Sequence, residues 1–396
     1  MRKARFLLLS WPVLVPRGAM WDQQRVQLMP RAIGALRIRV ASVSQASDSC
    51  RLADVLDLRA NGLNFLRLLL ASQVILWHTY AVQGVDFPYP IWRPLVSSTG
   101  VDGFFAVSGF LILMSWHRRP HARDFLTARC LRILPAFYVV LFVTVLIIAP
   151  LGVAIAGNDP RSIWTNPDSY AYIWKNVFLW IVDPGVAGTP FDVPYAGSWN
   201  VSLWTLWWEF ACYLGVMGLG LAGLAGQRRV IAAIFVGAML ASIAVAVAGV
   251  ENHNIEAAAR LSLMFSSGMV MYSFRDVVRV NIPLVVLAIT AVICSVLLPD
   301  YRILAALPMA YLLMVAGGAL RHRWFRFRTD VSYGVYIYAF PVQQLLVIAG
   351  LGASLAVGPF ALLALTCTLP LAWLSWTFVE KPSLRLKRRT GATGQR

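Results

Sequence analysis

Apolar residues in this chain come in runs of about eighteen or more, the length a helix needs to cross roughly 30 Å of hydrocarbon. That feature rules against a soluble fold, whose helices need only one apolar face. Composition agrees. Of the 396 residues, 59% are hydrophobic and 13% charged, whereas a soluble domain is about a quarter charged. The expected fold class is all-α, a polytopic integral membrane protein with about ten transmembrane helices, near 63–82, 100–116, 132–156, 200–225, 230–249, 257–273, 281–298, 302–320, 331–349 and 353–378. Several contain Gly or Pro, which membrane helices tolerate.

A net charge of +17 suggests nucleic acid at first sight, but the basic residues are segregated. All but six of the 35 Lys and Arg fall in the two tails and the even-numbered loops; the exceptions are Arg93, Arg161, Lys175 and Arg302 in odd loops, and Arg67 and Arg260 inside spans. The positive-inside rule then places both termini in the cytoplasm. The basicity reports topology and contact with anionic membrane lipids, and no nucleic-acid partner is expected. Cys50, Cys130, Cys212, Cys294 and Cys367 form no CxxC pair, so neither disulfides nor a metal site is expected.

Three regions follow: an N-terminal extension over 1–50, a transmembrane domain over 51–385 and a basic cytoplasmic tail over 386–396. The start, MRKARFLLLSWPVLVPRGAM, has the basic head and short apolar run of a signal peptide. Cleavage there would leave RLADVLDLRANG outside, against the charge pattern. A disordered tail or an upstream start codon is the expectation instead. In the long loop 157–199, SYAYIWKNVFLWIV reads as an interfacial helix or a short re-entrant piece, rich in Trp and Tyr.

Candidate chemistry lies in the ionisable residues at membrane depth. Arg67 and His78 are eleven positions apart, almost three turns, so they share a helix face about 16 Å apart along the axis. Snorkelling explains Arg67 alone, and an interhelical hydrogen bond explains His78 alone; intramembrane ionisable groups nonetheless default to functional candidates. Asp102, near the outer end of the second span, either caps that helix or orients the His78 imidazole. The adjoining Ser108-Gly109 pair permits close helix packing. Arg118, Arg119 and Arg123 precede Arg129 and Arg132, which share a helix face and suit a nucleotide or pyrophosphate. Glu209 lies near mid-membrane, where it pairs with Arg260, orients the base or receives a sugar hydroxyl. Tyr338 and Gln343 can hydrogen-bond a polar ligand, and Glu380 reads as a counter-ion to the basic loops.

Five blocks in order give the chain a resemblance to the membrane-bound acyltransferase 3 family of carbohydrate O-acyltransferases. They are Arg67 with His78, GVDGFFAVSGFLI, the R-x-x-R of Arg129 and Arg132 before a proline, LWTLWWEF-x-x-Y with Glu209, and FVEKP; together they cover about 57–385. The resemblance implies a catalytic His78 supported by Arg67, and a role for Arg129 and Arg132 in binding the acyl donor. Where many relatives carry a second histidine, this chain has Ala339 in YIYAFP.

The expected reaction moves an acyl group, acetyl by default, from acyl-CoA (acetyl-CoA) to a hydroxyl of a cell-envelope or exported carbohydrate or a lipid-linked sugar. It takes place in a bacterial inner membrane with no permanently bound cofactor. The donor phosphates are expected among Arg129, Arg132 and Arg67, and His78 is the general base oriented by Asp102, with an acyl-imidazole intermediate left open. Tyr338, Gln343 and Arg260 are the expected acceptor contacts. The competing reading is a glycolipid or polysaccharide carrier or flippase without acyl transfer; the related halves common in transporters are not detected.

Overall fold

Asparagine, proline and glycine punctuate the chain. Asn166, Asn252 and Asn281 each turn a side-chain oxygen onto backbone N–H groups at the start of a helix. Gly84 and Gly249 end helices at φ of +65° and +60°, a conformation that a side chain resists. In the computed structural model the residues described are 50–57, 61–320, 322, 324, 325 and 329–390, with side chains to 386. The expected extension, apart from Cys50, and the last six residues of the tail lie outside them.

Among the described residues all regular structure is helical. Helix α1 spans Leu63–Gln83 and α2 Arg93–Arg118. Helix α3, Ala122–Val143, takes in Arg123, Arg129 and Arg132 and continues through a π turn, Thr144–Ile148, to Ile155. A short α4, Pro167–Asn176, lies in the long loop. Then follow α5 (Thr205–Leu221), α6 (Arg228–Ala248), α7 (His253–Ser273), α8 (Ile282–Cys294), α9 (Arg302–Ala319) and α10 (Ser332–Ile348). Helix α11, Val357–Ser375, passes through a second π turn, Trp376–Glu380, into α12, Lys381–Thr390, so helix reaches into the basic tail.

Six segments are long and apolar enough to cross a membrane: Leu63–Gln83, Pro90–Arg118, Ala122–Ile155, Arg228–Ala248, Arg302–Ala319 and Val357–Leu386. Helices α5, α7, α8 and α10 occupy the remaining expected spans but do not meet that standard. Burial explains α10. It is enclosed from Ser332 to Gln344, so other helices rather than lipid surround it, and it accommodates three tyrosines and two glutamines. Helix α4 is shorter than the aromatic run it comes from. It buries Tyr172, Ile173 and Asn176 and exposes Trp174, as a surface helix does.

Two contacts hold α2 to α7 and α10 to α1. Gly109 of α2 and Gly268 of α7 meet face to face; a Cβ on Gly109 would run into the Phe265 carbonyl, and one on Gly268 into that of Ala106. Helix α10 is tied to α1 by Gln343, whose Nε2 donates to the Ile75 carbonyl and to Thr79 Oγ1, both at 2.9 Å. Gly268→Leu is therefore expected to abolish monodisperse protein in detergent gel filtration. Gly358→Ala on α11, where a Cβ meets open space, is expected to leave the yield near wild type.

Candidate active site

Guanidinium groups from two helices converge on one carboxylate. Arg67 lies in the second turn of α1; Arg132 follows Arg129 by three residues on α3. Asp330, two residues before α10, accepts from both Arg67 and Arg132, the latter at 2.6 Å. Arg132 also donates to Glu380 at 2.9 Å, and Glu380 in turn accepts from the Ser375 hydroxyl at 3.2 Å. The Ser332 hydroxyl and amide add bonds of 2.5 and 3.3 Å to Asp330. Burial alone would raise the Asp330 carboxyl. Arg67, Arg132 and Ser332 outweigh it and hold the carboxyl below its ordinary range. The π turn at Trp376–Glu380 shifts the helix register, so that both of its ends meet Arg132: the guanidinium lies 5.9 Å from the Trp376 ring and 5.6 Å from that of Tyr333.

This clamp forms one wall of a cavity of about 380 Å³. Arg67, Arg129, Arg132, Asp330, Glu209, Tyr213, Tyr333 and Tyr336 are among its polar lining, and Phe104, Phe105, Leu111 and Ile133 among its apolar lining. Arg129 differs from its neighbours. Its guanidinium lies against the rings of Tyr213 and Phe125, its Nε is enclosed with no hydrogen-bond partner, and among the described residues no carboxylate pairs with it. Glu209 instead accepts from the Tyr213 hydroxyl. Tyr336, also in the lining, is hydrogen-bonded to Thr205 at 2.7 Å and edge-on to Phe104.

The structure therefore unites Arg67, Arg129, Arg132 and Glu209 and separates the other expected site residues from them. His78 is not in the cavity lining. It packs edge-on against Phe340, ring centroids 5.1 Å apart, with Nδ1 enclosed and unpartnered. Phe340 lies one turn, about 6 Å, beyond Tyr336 on α10, so the two rings make an aromatic wall along that helix, Tyr336 lining the cavity and Phe340 packed on the imidazole.

Asp102 does not orient His78. Helix α2 starts at Arg93, which puts Asp102 mid-helix rather than at a cap. There its carboxylate takes a 2.5 Å bond from Arg302 Nε and another from the Tyr301 hydroxyl, locking α2 to the start of α9. Glu209 and Arg260 do not pair, since Arg260 lies over the Trp204 ring at 5.2 Å and outside the cavity lining. Tyr338 is also outside it, being five residues, about 140°, around α10 from Tyr333. The Gln343 amide nitrogen is committed to α1.

Asp330, Tyr333 and Tyr336 were not expected at the site. One signal for Asp330 was available: it is the lone acidic residue in a loop with Arg321, Arg323, Arg326 and Arg328.

A family model described as an acyltransferase domain matches residues 60–377. The chain is 29% identical over 335 residues to a protein of Shigella phage Sf6 named O-acetyl transferase, covering 82% of this chain and 96% of that one. It is 26% identical over 360 residues to Nodulation protein 10 of Rhizobium leguminosarum bv. viciae, covering 83% and 94%. No solved structure matches.

Asp330→Asn leaves Arg67 and Arg132 facing each other across a neutral amide. A loss on the order of 3 kcal/mol is expected, as when one member of a buried pair is removed, measured by denaturant titration in detergent. Because the native carboxyl is held low, its stabilisation is full above the unfolded-state pKa and disappears as pH falls through the lowered native value. The variant is expected to lose less stability than wild type over that acid range.

Proposed function

This chain belongs to the acyltransferase family whose domain it matches, and on that premise we propose that it is an O-acetyltransferase of a bacterial inner membrane. The donor is acetyl-CoA and the acceptor a hydroxyl of a cell-envelope or exported carbohydrate, free or lipid-linked. The name of the phage relative supports the acyl group. The observation that carries the donor is Arg129: a guanidinium with an enclosed, unpartnered Nε and no paired carboxylate, set in the wall of a cavity large enough for the arm of a thioester. In the reading with ten crossings and both termini cytoplasmic, the arginine-rich end faces the compartment that holds acetyl-CoA.

The chemistry proposed is direct transfer. Arg129 holds a donor phosphate by charge-assisted hydrogen bonds. Arg67 and Arg132, already bound to Asp330, keep the cavity wall in place. The thioester points toward Tyr336 and Phe104. A rotation of one of these rings joins the cavity to the neighbourhood of His78, which takes the proton of the acceptor hydroxyl as that oxygen attacks the thioester carbonyl. The C–S bond breaks and the imidazolium returns its proton to the departing CoA sulfur. No carboxylate partner holds His78 in this scheme. Glu209, on the cavity side of the wall, positions Tyr213 and with it the Arg129 guanidinium.

Mass spectrometry of envelope carbohydrate from a deletion strain tests this. Wild type is expected to restore an acetyl increment that His78→Ala does not. An identical glycan profile in the deletion and the parent strain overturns the function, while full restoration by His78→Ala overturns only the base. With purified enzyme, Arg129→Gln is expected to raise KM for acetyl-CoA roughly tenfold or more, the worth of a hydrogen bond to a charged group. It is expected to leave the acceptor KM near wild type.

A further inference from the structure

Arg129 lines two cavities, the inner one shared with Arg67, Arg132 and Glu209. The second, of about 390 Å³, lies between the end of α2 and the start of α3 and shares Leu111, Ala128 and Arg129 with the first. Its remaining polar lining is Ser115, Arg118, Arg119 and Asp124, with the buried Phe125 ring among them. Among the described residues none of Arg118, Arg119 and Arg129 forms an ion pair. Three guanidiniums thus face the space against one carboxylate. The α3 N-terminus, beginning at Ala122, adds its dipole to the same edge.

Ordinary positive-inside charge does not require this arrangement. Lysines and arginines that only mark topology extend separately into water, whereas here Arg118 and Arg119 share a concave lining with an arginine whose Nε is enclosed and unpartnered. The inner cavity is different in character, its remaining cations being held by Asp330 and Glu380. A ligand that fills both has a strongly anionic head and a less charged arm leading inward past Arg129.

We infer that the second cavity is a phosphate subsite that receives the phosphorylated nucleoside end of the donor, with Arg118 and Arg119 reading its terminal phosphate and Arg129 marking the passage to the thioester cavity. Asp124 is placed to accept from a ribose hydroxyl or a base amine. The inference rests on the acetyl-CoA reading and adds a source of donor choice: full CoA thioesters are selected over shorter pantetheine thioesters. An anionic lipid headgroup offers the same phosphate chemistry, and the test separates the two sources.

The test uses the full chain in nanodiscs of phosphatidylcholine alone, supplied with acetyl-CoA, acetyl-3′-dephospho-CoA or acetyl-pantetheine. Wild type is expected to favour acetyl-CoA over the dephospho donor by roughly tenfold or more in kcat/KM, mainly through KM. In the Arg118→Gln/Arg119→Gln double variant, acetyl-CoA is expected to fall to the level of the dephospho donor. Both side chains are exposed, and the thermal transition of the variant serves as the control for folding. Equal use of the two CoA donors by wild type, or a preference that survives in the double variant, overturns the subsite and leaves the acyltransferase reading intact. A preference seen only after phosphatidylglycerol is added assigns the arginines to lipid and also overturns it. Failure to transfer from any of the three thioesters overturns the donor reading itself.

Discussion

The site depends on one carboxylate shared by two arginines. Asp330 joins α1 to α3 through Arg67 and Arg132, and Arg132 extends the connection to the end of α11 through Glu380. Four stretches of chain that are distant in sequence meet there. Such a network is not explained by stability alone, because charges taken from water recover their desolvation cost only partly. What it supplies is position. Each guanidinium in the clamp is fixed by partners from distant parts of the chain, so the cavity wall they form does not need a ligand to hold it open.

Charge matching then separates arginines that composition cannot tell apart. Arg129 and Arg132 lie three residues apart on one helix face and look equivalent as an R-x-x-R pair. Arg132 has two carboxylates within hydrogen-bond distance, and Arg129 has aromatic rings. A phosphate approaching Arg132 has to displace Asp330 or Glu380, whereas one approaching Arg129 displaces neither. The same logic divides the acidic residues. Asp102 is occupied by Arg302 and Tyr301, while Glu209 makes its described hydrogen bond to a tyrosine inside the cavity.

Helix content and the approximate limits of the helices were legible in the sequence because apolar periodicity and length set them, and six of those helices are long and apolar enough to cross a membrane. The grouping of Arg67 with Arg129 and Arg132 was also legible, because a charge placed at membrane depth has to face protein; that Glu209 joins them instead of pairing with Arg260 was not. What the sequence concealed was rotation and register. Asp102 looked like a partner for His78 because both lie near one end of the bundle. Its direction depends on where α2 begins, and the polar stretch before residue 100 hid the extra turns. Glu380 reads as a counter-ion to the basic loops, whereas its partner is Arg132 on α3, and the pairing involves a π turn that no residue pattern announces. Asp330 sits in a loop, where periodicity carries no information, and only its isolation among arginines marked it.

The wall between the arginine cavity and His78 bears on how the proposed chemistry stays productive. A thioester beside an unguarded base and open water is open to hydrolysis, and excluding water until the acceptor arrives suppresses that loss. Tyr336 is suited to such a wall. Its hydroxyl is satisfied by Thr205, so the closed state leaves that polar group paired, while its ring meets Phe104 only edge-on. The Tyr336–Thr205 bond is a neutral one, and opening the wall gives it up without disturbing the ion pairs of the clamp. A barrier built from aromatic rotamers can therefore move while the guanidiniums behind it stay fixed. The eleven positions from Arg67 to His78 put a fixed guanidinium and the imidazole on one face of α1, while the movable rings belong to α2 and α10.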